Sequence, residues 1–119
     1  MEKTIIFSVF QASKTAWVNE LAHRQVTSIL ENAGLKFEEV QGCYKGQTEK
    51  SFAISPWDGT LLVMLRRLAQ NHHQETLLKI YENGFCFLED LVTLEETFAG
   101  KWTQVQNYTQ TSQGFFVIN

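Results

Sequence analysis

The run Thr76-Leu-Leu-Lys-Ile-Tyr81-Glu-Asn83-Gly84-Phe85-Cys-Phe-Leu88 decides the architecture. Two largely apolar stretches, Thr76 to Tyr81 and Phe85 to Leu88, flank Asn83-Gly84, a pair that tolerates positive φ and closes tight hairpins. The spacing predicts two antiparallel strands. Just upstream, Leu61, Leu62, Leu65, Leu68 and Ala69 recur at three and four positions, so a helix leads into this hairpin. Ser55 is placed to cap that helix, and Pro56 suits its first position, where a missing N–H has no partner to lose. Asp58 favours the positive end of the helix dipole.

Working outward, Lys36 to Tyr44 and Lys50 to Ile54 read as short strands around a loop containing Gly46. A helix is expected from about Ala16 to Ala33, with Val18, Leu21, Ala22, Val26, Ile29 and Leu30 as its apolar stripe and Gly34 ending it. Thr4 to Phe10 reads as the opening strand. In the tail, Lys101 to Gln106 and Gly114 to Ile118 look extended, separated by a Gln/Thr-rich turn. The order β-α-β-β-α-β predicts an α+β, ferredoxin-like fold: an antiparallel sheet, two helices on one face, and extra C-terminal strands. The apolar end, Phe115 to Ile118, could pair with a neighbour's sheet edge. Fold alone does not name a chemistry.

A chain of 119 residues fits one domain spanning 1–119. With 44% hydrophobic residues and nine Phe, it can fill a core without a disulfide or metal staple. The formal charge of −3 argues against nucleic-acid binding, which calls for a basic stripe. Arg66-Arg67 reads as a solvated helix face. Cys43 and Cys86 lack any metal-binding spacing and read as buried free thiols. The apolar run ending at Phe10 is too short for a signal peptide or membrane span, so a cytoplasmic, membrane-free protein is expected.

Phosphate-loop, dinucleotide, zinc-protease and serine-hydrolase signatures are all missing. His23 stands alone in the first helix and His72-His73 are adjacent, a poor chelating arrangement, so neither metal nor cofactor is expected. Cys43 has no acid–base partner nearby in sequence. Glu38-Glu39, Glu89-Asp90 and Glu95-Glu96 read as solvated edges. Two stretches stand out. In Gly42-Cys43-Tyr44-Lys45-Gly46-Gln47-Thr48-Glu49, a loop between glycines would let backbone approach a ligand, with Tyr44 and Glu49 at its rims. The same residues could equally form an ordinary hairpin loop. His72-His73-Gln74-Glu75 enters the fourth strand and could be no more than a helix-to-strand connection.

Taken in order, these pieces resemble the bacteriophage S-adenosylmethionine lyases, formerly described as hydrolases. The likeness rests on Ser8 to Lys14 after the first strand and on Asn19-Glu-Leu-Ala-His23-Arg24. It continues through Gly42-Cys43-Tyr44 with Glu49 following, Gln74-Glu75 before an apolar strand, and Gly100-Lys-Trp-Thr-Gln-Val105. The resemblance implies cleavage of S-adenosylmethionine to methylthioadenosine and homoserine lactone, depleting the methyl donor as a phage anti-restriction activity. It further implies a homotrimer with sites between subunits. Glu49 and Glu75 would be catalytic, and Ser8, Gly42, Tyr44 and Gln74 would bind substrate. The alternative is a non-catalytic trimer that binds S-adenosylmethionine or a nucleotide as a sensor or sponge.

Overall fold

The structure, a computed structural model, describes residues 2–44, 47–102, 108–111 and 114–117. Along the chain come β1 (Thr4–Phe7), α1 (Ala16–Asn32), β2 (Phe37–Tyr44), β3 (Gln47–Ile54) and α2 (Gly59–Asn71). Then follow β4 (Thr76–Ile80), β5 (Phe85–Asp90), β6 (Glu96–Lys101), β7 (Tyr108–Thr111) and β8 (Gly114–Val117). All strands join one antiparallel sheet in the order β6-β5-β4-β1-β3-β2-β8-β7, giving an α+β fold.

The predicted hairpin is β4–β5. Gly84 takes φ +85°, whereas Asn83 stays out of the positive region and accepts the Phe85 N–H through Oδ1 at 3.0 Å. The tail differs from expectation. The sixth strand starts at Glu96 rather than Lys101, and Tyr108–Thr111 of the expected Gln/Thr-rich turn is a strand paired with β8. Residues 103–106 and 118, where extended chain was also expected, lie outside the described residues. β8 has β2 on one side and β7 on the other, so it offers no free edge to a neighbour.

Both helices lie on one face of the sheet. Val26 and Leu30 of α1 and Leu62, Leu65 and Ala69 of α2 share a core with Ile5, Phe7, Phe52, Ile54 and Leu77. Burying each large side chain of this kind contributes about 1.5–3 kcal/mol. The α2 cap is Asp58, whose carboxylate accepts from Leu61 N at 2.8 Å, so Ser55 and Pro56 stand before the helix. On α1 the buried stripe is Asn19, His23, Val26 and Leu30, while Val18, Leu21 and Ile29 are exposed. An apolar periodicity cannot find this stripe, because two polar residues with partners on other segments fill its first half. Asn19 makes two bonds to the Gln11 backbone, at 2.8 and 2.9 Å, and His23 Nε2 meets Glu39 Oε1 at 2.8 Å. The His23 ring stacks on Phe52 with centroids 4.2 Å apart.

Of the acidic pair Glu89-Asp90, expected as a solvated edge, Asp90 is exposed but Glu89 is not. Glu89 is fully buried and receives Arg66 Nε at 2.7 Å, Arg66 Nη2 at 2.5 Å and Lys79 Nζ at 3.2 Å. Lys79 also pairs with Glu96. Arg66 is therefore spent on an internal carboxylate rather than on solvent, and Arg67 alone fits the solvated reading. Burial pushes the Glu89 carboxyl up, but the Arg66 hydrogen bonds and the Lys79 charge outweigh it and hold it below the usual range.

The other face carries no helix among the described residues, yet Ile6, Val40, Ala53, Leu78, Ile80, Cys86, Leu88 and Trp102 are buried there. The sheet itself covers them. Its end strands β6 and β7 approach within 8 Å, so the sheet curls and makes this face concave.

Candidate functional site

The strand register places a polar patch on the concave face, where β1 ends and β3 and β4 begin. Ile6 pairs with both Ala53 and Leu78, so the same face carries Ser51 and Glu49 along β3 and Thr76 along β4. These residues, with Ser8, Gln74, Glu75, Phe7, Leu77 and Ile6, line one small pocket.

Local bonds hold each group in place. Ser8 Oγ donates to the Lys50 carbonyl at 2.7 Å and accepts from Phe10 N at 3.0 Å, which ties the chain leaving β1 to β3. Gln74 Nε2 donates to the Phe10 carbonyl at 2.7 Å and to the His72 carbonyl at 3.3 Å. His73, at φ 57°, turns the chain from α2 into this position. The Glu75 carbonyl accepts from Leu91 N at 2.9 Å, fixing the entry of β4 against the end of β5. Glu49 is half-buried, and burial pushes its carboxyl up to about 7. A carboxyl so placed changes charge near neutral pH, as functional carboxyls often do.

Four residues singled out from the sequence thus share the pocket: Ser8, Glu49, Gln74 and Glu75. Gly42 sits directly opposite Glu49 in the β2–β3 ladder, placing a residue without a side chain beside that carboxyl. Tyr44 is opposite Gln47, and its side chain lies outside the described part of the structure. Glu49 was expected at a loop rim; it lies within β3, because pairing runs up to Tyr44–Gln47 and leaves only residues 45 and 46, themselves outside the described residues, between the strands. Sequence reading missed Ser51 and Thr76. The available signal was a polar residue at a core-facing step, Ser51, in the alternation that runs on to Ala53.

Among the described residues, no three His, Cys, Asp or Glu side chains cluster as metal ligands would, and no helix is long and apolar enough to cross a membrane. Two carboxyl groups beside neutral amide and hydroxyl groups, on a wall of Ile6, Leu77 and Leu78, place acceptors suited to a cationic group around a cavity of about 20 Å³. A sequence model of the S-adenosylmethionine lyase family matches residues 5–119, and the chain belongs to that family. No curated protein sequence matches it.

Proposed function

We propose that this protein cleaves S-adenosylmethionine within the substrate itself, releasing methylthioadenosine and homoserine lactone. The observation that carries this reading is the convergence of Glu49, Glu75, Gln74 and Ser8 on one pocket in a chain of this family. The substrate carboxylate attacks its own γ-carbon, a C–O bond forms, and the C–S bond breaks with its electron pair left on sulfur. The leaving group is a neutral thioether, and no proton need move. The protein's task is to bend the methionine moiety into the attacking geometry and keep water away.

Glu49 and Glu75 grip the ammonium and sulfonium ends through charge. A carboxylate beside a sulfonium also steadies the ground state, so the acceleration comes from the imposed conformer rather than from charge alone. Tyr44 is assigned to the same pocket. The ferredoxin-like reading is supported by the central order β4-β1-β3-β2 with both helices on one face. A homotrimeric assembly in the cytoplasm, acting for a phage by draining the methyl donor, completes the proposal.

The test is purified protein mixed with S-adenosylmethionine, with and without chelator, and chromatography for methylthioadenosine. Product in both samples is expected. Ligand binding without product would replace the lyase by a sensor or sponge. Turnover lost to chelator and restored by zinc or magnesium would overturn the metal-free mechanism.

A further inference from the structure

Helix α1 buries Asn19 and His23 in a stripe where apolar side chains would need no hydrogen-bond partners. His23 Nδ1 is buried without such a partner among the described residues, so stability alone does not account for a polar stripe. Both residues meet the same segment. Asn19 Oδ1 accepts from the Gln11 N–H at 2.8 Å, and its Nδ2 donates to the Gln11 carbonyl at 2.9 Å. The His23 ring meets Phe10 edge-on, with centroids 5.9 Å apart. That segment is the strap Ser8 to Gln11, which leaves β1 and belongs to neither a strand nor a helix.

With no ladder of its own, the strap is held by side-chain bonds to three other elements. Ser8 Oγ ties it to the Lys50 carbonyl of β3, Gln74 ahead of β4 donates to the Phe10 carbonyl, and Asn19 of α1 brackets the Gln11 backbone. Ser8 and Gln74 line the pocket, whereas Asn19 does not. We infer that Asn19 is a positioning residue for the reaction. By fixing Gln11 it keeps the adjoining Phe10 carbonyl where the Gln74 amide binds it, and so sets Ser8 and Gln74 against the substrate. The inference rests on the lyase reading above and extends it to a residue that touches no substrate. Released at Gln11, the strap and the Gln74 amide shift together, and a misplacement of about 1 Å in a positioning wall can cost about a hundredfold in rate.

The experiment is a double-mutant cycle on turnover of S-adenosylmethionine, with wild type, Asn19→Ala, Gln74→Leu and the double variant. All are assayed well below their melting temperatures. Each single change is expected to lower kcat by about tenfold or more, with KM moving less than about threefold, because the strap shapes the bound conformer. The double variant should be within about twofold of the worse single one, since both changes release the same strap. If Asn19→Ala does not fold, Asn19→Asp takes its place in the cycle, keeping the oxygen that serves the Gln11 N–H and losing the donor. Multiplying losses would show that Asn19 does not act through Gln74. A loss confined to KM, or full turnover at reduced melting temperature, would confine Asn19 to the scaffold. Each of these results overturns the inference and leaves the lyase reading intact. A wild-type protein without turnover would overturn the lyase reading, and this inference with it.

Discussion

The Gln74 side-chain amide donates to the Phe10 carbonyl at 2.7 Å, joining the entry of β4 to the segment leaving β1 across 64 positions of sequence. That segment is held from its other side by Asn19, which brackets the Gln11 backbone. Gln74→Leu keeps the bulk and removes the amide. Stability should fall by about 1 kcal/mol, the net worth of one hydrogen bond, and turnover by about tenfold or more as the Ser8–Phe10 wall shifts. Denaturant melts and product formation measured on the same sample check both. Full activity with lost stability would confine Gln74 to the scaffold.

Glu49→Gln and Glu75→Gln should each cut turnover by about tenfold or more, or about 1.4 kcal/mol of barrier, because the amide keeps the shape and loses the charge. Glu38→Gln and Glu95→Gln, on exposed positions, serve as controls and should change stability by no more than about 0.5 kcal/mol. Four equally active variants would show that these carboxylates do not carry the chemistry.

The pH response follows from Glu49. Its folded carboxyl titrates at about 7 against an ordinary 4.5, so between these values the folded state binds more protons than the unfolded one. Stability therefore falls as pH rises through this window. The ionised form is the one that grips a cation, so kcat/KM should climb as pH passes about 7. In Glu49→Gln both trends should flatten. Persistence of the stability trend in that variant would assign it to another group.

Glu89→Gln should be strongly destabilising, by about 3–5 kcal/mol, since it leaves Arg66 and Lys79 beside a buried neutral amide. The melting temperature, followed by circular dichroism, reads this directly. A change within about 0.5 kcal/mol would mean that solvent reaches the cluster and screens it.

Light scattering should give the mass of a trimer at micromolar concentration. A monomer throughout that range would sink the assembly proposed here. With β8 paired on both sides, β6 and β7 are the strands at the ends of the sheet order.

Local chemistry made some of this molecule legible in advance. Leu62, Leu65 and Ala69 repeat with helical spacing, and Gly84 lies where the chain must turn at positive φ, so α2 and the β4–β5 hairpin were readable from neighbouring residues. Gln74 and Glu75 could be singled out as site residues because they resemble a family motif, without any knowledge of what they face. What needed the tertiary structure was every case in which a polar residue finds its partner far along the chain. His23 and Asn19 displace apolar residues from the buried side of α1 only because Glu39 and the Gln11 backbone meet them there. Glu89 resembles a surface acid until Arg66 and Lys79 are brought to it by α2 and β4. Ser51 is one more strand serine until the curl of the sheet places it in the same pocket as Glu49. Periodicity reports which side of an element faces inward when apolar burial sets that side; pairing between distant polar groups is a property of the assembled sheet, and no local run of residues records it.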